Sequence, residues 1–258
     1  MASNRSVKQN PVTGERLLQR AADAKIAAQL SDVRSFFLSA VPVQPVRLNG
    51  LYSSKSAEYK AISEPPVYRQ MRFDLNVQGP VQYVRGEIMR RVTMEERGVD
   101  LWQDGTLIFV GRNDEDFLGW AVRRTSENNQ NNLYINNYVM TEVISLFLVL
   151  AIQILSSIQQ PPERVRVSFG FMWEKTEGST YELSHVPISP QVGSFQGRKV
   201  TAENKIFGID FELKDAIPEV EALKLLKEIY HWFGITDEQI PYVDSISVPE
   251  RVDRARYV

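Results

Sequence analysis

The stretch YVMTEVISLFLVLAIQILSSI, from Tyr138 to Ile158, decides how the rest of the chain is read. No residue between Glu142 and Glu163 is charged. Its apolar part runs from Val143 to Leu155, interrupted by Ser145 and Gln153, and Ser156, Ser157, Gln159 and Gln160 follow. A membrane span takes about 20 consecutive apolar residues, with aromatic or basic anchors at both ends. Tyr134 and Tyr138 suit one end, but Gln159-Gln160-Pro161-Pro162 offers no anchor at the other. A helix apolar nearly all round therefore belongs in a core that covers it on most sides. Two layers, or a layer and a second subunit, are expected to close over it. Glu142 falls near its start, where the helix dipole favours a carboxylate.

Working outward, Pro161-Pro162 ends this helix, and Val165, Val167, Phe169 and Phe171 alternate with smaller or charged residues as a half-buried strand. Tyr181 to Ile188 reads as its hairpin partner, and residues 189–204 as a long exposed loop. Phe207, Ile209, Phe211 and Leu213 give another strand with one buried side. Pro218, Glu219 and Glu221 open a helix with Leu223, Leu226, Ile229, Tyr230 and Phe233 on its apolar side, closed by Gly234. The tail RVDRARYV reads as basic and mobile.

Upstream, VDLWQDGTLIFVG at residues 99–111 is the clearest hairpin signal, because Asp104-Gly105 supplies the positive φ angles that a tight primed turn needs. Strands are expected over Val67–Leu75 and Val81–Thr93, and a strand or short helix over Phe117–Val122. The Asn-rich SENNQNNLYINNYV, from Ser126, reads as a surface loop leading into the central helix. Leu18, Ala22, Ile26, Leu30, Val33 and Phe37 recur every three or four residues and predict one helix over Glu15–Leu38, ended by Pro42 and Pro45. The expected organisation is an N-terminal arm and helix over 1–45, a linker over 46–66 and a main domain over 67–258. The expected fold is mixed α/β (α+β): a largely antiparallel sheet packed around one buried apolar helix, with an N-terminal helix.

Hydrophobic residues make up 43% of the 258, enough for a sizeable core. The formal net charge of -2 argues against a free-standing nucleic-acid binder without excluding a local basic face. With no cysteine, thiolate chemistry, disulfides and Cys-ligated zinc are excluded. His185 and His231 are the only histidines, too few for a three-His metal site. No metal site and no cofactor is expected. The opening MASNRSVKQNPVTGERLLQ lacks the apolar core of a secretory signal, so a cytoplasmic protein is expected.

Glu58-Tyr59-Lys60 has the Glu-x-Lys spacing of some metal-dependent nucleases, but it stands alone in a Ser-rich stretch. Asp114, Glu115 and Asp116 read as a solvated turn, lacking the glycine and distal glutamate of a calcium loop. Ser184-His185 and Ser194 lack the Gly-x-Ser-x-Gly elbow of a hydrolase triad. Arg85, Arg90, Arg91, Arg97, Arg112, Arg123 and Arg124 crowd the hairpin segment beside Tyr83, Trp102 and Trp120. Basic residues interleaved with aromatics can hold phosphates and stack bases. Glu87, Glu95, Glu96 and Asp100 share the segment, so cross-strand ion pairing accounts for the arginines equally well.

RRVTMEERGVDLWQDGTLIFVG, then DEDFLGWAVR, INNYVMTEVISLFLVLAIQIL and RVRVSFGF, within residues 90–171, resembles the C-terminal portion of bacterial Schlafen/Alba-type DNA-binding proteins. The resemblance covers about a third of the chain. The family's nucleic-acid- or nucleotide-binding domain lies N-terminal to this portion, and nothing in residues 1–60 resembles it, so no functional residue carries over. What the resemblance implies is an accessory module working beside a partner. A non-enzymatic binding or regulatory protein is therefore expected, with a protein partner or a second copy of the chain and no membrane. The alternative is nucleic-acid binding through Arg85, Arg90, Arg91, Arg112, Arg123 and Arg124, and after it a metal-dependent nuclease.

Overall fold

The computed structural model describes residues 14–31, 34–66, 75, 77–114, 117–119, 132–172, 180–184, 198–201 and 205–256. Helix α1 (Gly14–Ala27) precedes strand β1 (Ser35–Pro42) and helix α2 (Ala57–Ser63). Strands β2 (Gln82–Val84), β3 (Ile88–Thr93), β4 (Arg97–Trp102) and β5 (Leu107–Arg112) follow. Next come β6 (Asn132–Asn136), α3 (Asn137–Ser156), β7 (Arg164–Met172), β8 (Thr180–Ser184), β9 (Arg198–Thr201) and β10 (Ile206–Glu212). Helix α4 (Pro218–Trp232) and the short strands β11 (Val243–Asp244) and β12 (Arg251–Val252) complete the order.

Seven strands form one antiparallel sheet in the order β10-β7-β1-β5-β4-β3-β2. The fold is α+β as expected, with the apolar helix buried. Fifteen of the twenty α3 residues are buried, between the sheet and α4. Asn136 caps its start, its side chain accepting from the Tyr138 and Val139 amides. Glu142, buried one turn later, accepts a 3.0 Å hydrogen bond from the Tyr242 hydroxyl. Helix α3 is long and apolar enough to cross a membrane by composition, yet 78% of its most apolar window is buried within the fold.

The N-terminal region differs most from the sequence reading. The helix stops at Ala27, and residues 35–42 form the interior strand β1, buried at every position. Gln29 turns left-handed at φ 58°, while the amides of Leu30 and Gln29 donate to the Lys25 and Ile26 carbonyls. That Schellman stop normally advertises itself by a glycine, and here none is present. The stripe through Leu18 and Ile26 faces solvent, and Leu17, Arg20, Ala21 and Ala24 face the sheet instead. Phe36, Leu38 and Ala40 of β1 join the α3 core, whereas Phe37 and Val41 pack with α1 on the other face. The stretch expected as a linker carries α2, and Val46, Leu48, Leu51, Ala61 and Ile62 lie in the main core.

The Asp104-Gly105 hairpin is present but turns through three residues. The Gly105 amide donates to the Trp102 carbonyl, the Trp102 amide to the Thr106 carbonyl, and Gly105 alone of the turn has positive φ. This is a type I turn closed by a glycine bulge rather than a primed two-residue turn. It frees the Asp104 carboxylate to face α1, where Arg20 Nη1 and Nη2 donate to it at 3.0 and 2.7 Å. Arg20 also donates to Thr106 Oγ1 at 2.8 Å and lies 4.0 Å over the Trp102 ring. Burial would raise the Asp104 carboxyl, but Arg20 and Thr106 outweigh it and hold the pKa below its ordinary value.

Strand β8 is not the hairpin partner of β7. It pairs parallel with β6 and antiparallel with β9 in a separate three-stranded sheet. The tail folds back: Val252 is fully buried, and Arg254 forms an ion pair with Glu219 of α4. The strand expected over 67–75, apart from Leu75, lies outside the described residues, as do residues 120–131 and 185–197.

Two outcomes follow for stability. Gly170 sits opposite Phe37, and a Cβ there would come within 2.5 Å of the ring. Gly170→Ala is expected to cost about 1–3 kcal/mol in urea unfolding, the usual cost of overpacking. Arg20→Met should cost about 3 kcal/mol at neutral pH, the lower range for a broken buried pair. Because the folded Asp104 pKa is depressed, this contribution is present above the unfolded carboxyl pKa of about 3.9 and disappears as pH falls below it. The stability gap between wild type and Arg20→Met should therefore narrow on acidification in a pH series of urea midpoints.

Candidate functional site

Side chains of neighbouring strand residues point to opposite faces of a sheet. Arg90 and Arg91, adjacent in β3, accordingly part company. Arg90 lies on the α1 face and donates from Nε and Nη2 to Asp100 on β4, at 2.7 and 2.5 Å. Burial raises the Asp100 carboxyl, and the hydrogen bond to Asp100 raises Arg90. Arg91 lies on the α3 face and donates to the carbonyls of Gly79 at 2.7 Å, Ser63 at 2.6 Å and Ile62 at 3.1 Å. Two of these carbonyls terminate α2, so Arg91 serves as the cationic cap of that helix.

Arg112 is half-buried, with Nε donating to Asp114 at 2.7 Å and Nη1 to the Glu95 carbonyl at 3.2 Å. Arg85 is exposed on the β2–β3 turn, left-handed at φ 52°. Arg123 and Arg124 lie outside the described residues. The four described arginines thus occupy separate settings and do not gather into one basic face.

The remaining constellations disperse as well. Glu58 and Lys60 lie on helix α2, not in a loop, with Glu58 buried and Lys60 exposed. Residues two apart on a helix do not face one another. Asp114 pairs with Arg112, while Glu115, Asp116, His185 and Ser194 lie outside the described residues. Among the described residues no group of three or more His, Asp or Glu is placed to hold a metal ion.

A concave site does form on the α1 face at the β2 edge, unforeseen from the sequence. It is a cleft of about 460 Å³, open on one side. Pro80, Val84, Val92 and Met94 give it an apolar lining, Ala27 at the end of α1 forms one wall, and Arg90 is recessed in it. Gly79 makes this shape possible: the segment before β2 runs so close to β3 that a Cβ on Gly79 would lie 2.0 Å from the Val92 carbonyl oxygen. Gln78 is fixed by its amide donating to Thr93 Oγ1 at 2.8 Å, and Arg91 holds the Gly79 carbonyl from the other face.

Electrostatics set what the cleft can accept. Asp100 neutralises Arg90, and Asp23 of α1 acts on both. Two carboxylates thus bear on one guanidinium, so an anionic ligand is disfavoured. Nη1 of Arg90 has no hydrogen-bond partner among the described residues, and it remains a donor for a neutral carbonyl. Neither protein-family models nor curated proteins nor solved structures yield a match to this chain.

The placement of the arginines has a measurable consequence. Arg91→Ala should lower unfolding free energy by about 1.5–3 kcal/mol, the range for hydrogen bonds to a charged group. Arg85→Ala should stay within about 0.5 kcal/mol, as exposed substitutions do.

Proposed function

We propose that this chain is a non-enzymatic, cytoplasmic binding module that holds an apolar, uncharged segment of a partner protein in the cleft between α1, β2 and β3. The observation that carries the reading is the cleft itself, lined by Pro80, Val84, Val92 and Met94 over a charge-balanced Arg90. A volume of about 460 Å³ lies within the range of functional clefts, and a mostly apolar wall with one convergent donor is their usual composition. Met94, which lines the cleft, is 56% exposed, which gives an incoming apolar segment more surface to cover.

Strand β2 borders the cleft and has only β3 as a strand neighbour among the described residues. An edge of that kind offers backbone hydrogen bonds to an extended peptide, while the cleft takes alternate side chains. The resemblance to an accessory portion of Schlafen/Alba-type proteins points the same way, toward work done beside a partner.

Panning a random-peptide library against the intact protein tests this. Enriched peptides should be apolar and uncharged, and Met94→Glu should weaken them at least about tenfold by removing an apolar contact and adding a third carboxylate. Failure to enrich any peptide, or peptides indifferent to both Met94→Glu and Val92→Asp, would overturn the reading.

A further inference from the structure

Tyr52 and Tyr83 stand on the face of the sheet opposite the cleft. Strand alternation separates the two sites: Gln82 and Val84 line the cleft, while Tyr83 between them points the other way. Both tyrosines remain exposed, by 49% and 42%, although their ring centroids lie 5.8 Å apart at 46°. They are the only aromatic residues among the large exposed hydrophobics of the described structure. The β2–β3 turn runs beneath them, since a Cβ on Gly86 would lie 3.8 Å from the Tyr52 hydroxyl. Arg85 stands on this turn.

The charge around the pair is lopsided. Residues 47–60 expose Arg47, Lys55 and Lys60, whereas their one acidic residue, Glu58, is buried. With Arg85 there are four exposed cations on these two segments, against two exposed carboxylates, Glu87 of the turn and Glu64 at the C-cap of α2. Backbone hydrogen bonds bring Arg47 to the same end, because the Leu48 amide donates to Gln103 and the Gln103 amide to Glu87, both at 2.8 Å. None of the four cations forms an ion pair with a described residue, in contrast to Arg20, Arg90 and Arg112. A local excess of exposed cations without an ion-pair partner among the described residues, on a chain of net charge -2, favours a polyanion over an apolar peptide.

We propose that Tyr52, Tyr83 and Arg85 form a stacking site for the bases of a single-stranded nucleic acid, with Arg47, Lys55 and Lys60 as contacts for its phosphates. Exposed tyrosine rings accept the face of any base, and arginine adds a cation–π contact, so recognition here is tolerant of sequence. A duplex keeps its base faces stacked internally and can use only the cations.

The test is fluorescence anisotropy with the intact chain and labelled single strands of DNA and RNA of one mixed sequence, alongside the corresponding duplex. A single strand should bind more tightly than the duplex, with affinity falling as salt rises. Tyr52→Ala and Tyr83→Ala should each weaken it about five- to tenfold, Tyr83→Phe should retain it, and Arg85→Glu should weaken it. DNA and RNA binding alike would mark a base-face site, and a preference for one would add sugar recognition to it. Met94→Glu should leave oligonucleotide affinity unchanged while weakening peptide binding, so the two sites can fail separately. No single-strand binding at low salt, duplex binding of equal strength, or equal affinity in the Tyr52→Ala/Tyr83→Ala double variant would overturn the proposal.

Discussion

Everything in this architecture answers to the burial of α3. Twenty residues without a charge after Glu142 cannot present an outer face to water without a large cost in exposed apolar area. The sheet supplies one cover through Phe36, Leu38, Phe109, Val167 and Phe169, and α4 supplies another through Leu223, Leu226 and Ile229. Sheet order follows from the same demand. The most apolar strands, β7, β1 and β5, sit together in the middle, while β10 and β2 carry the edges. Glu142, the one carboxylate drawn into this core from α3, is tolerated because Tyr242 donates to it.

The second face of the sheet is only partly covered. Helix α1 spans β4 and β5 on a layer of alanines, held by Arg20 in the elbow of the β4–β5 turn. Towards β7 and β10 the same face is solvated and carries ion pairs from Arg166 and Arg164 to Asp210. Towards β2 it ends in the cleft. The edge strand β2 thus divides its residues between two surfaces of different chemistry: an apolar cleft with balanced charge, and an aromatic pair with exposed cations on the neighbouring segments.

How much of this was legible in the sequence depends on how local each signal was. The α3 burial, the β4–β5 hairpin and the α4 caps rest on residues close together in the chain, and the structure bears them out. Residues 15–38 misled because SFFLSAVP is a strand buried on both faces, and such a run has no alternation to distinguish it from a helix. The stop at Gln29 then passed unseen for want of a glycine. Arginine density was visible, but the pairing of Arg90 with Asp100 depends on strand register, which spacing alone does not reveal. The cleft joins residues 27, 78–84 and 90–94, and the tyrosine pair joins residue 52 of a supposed linker to residue 83. Neither could be assembled without the fold.

The enclosure of α3 can be tested directly because the chain has no native cysteine. Single cysteines placed along the helix report solvent access through their rate of reaction with a maleimide. Ala151 is fully buried in the main core, whereas Gln153 and Ser156 are exposed. The account predicts rapid labelling of Gln153→Cys and Ser156→Cys in the native protein, and labelling of Ala151→Cys only after unfolding in urea. Equal native labelling at positions 151 and 153 would contradict it.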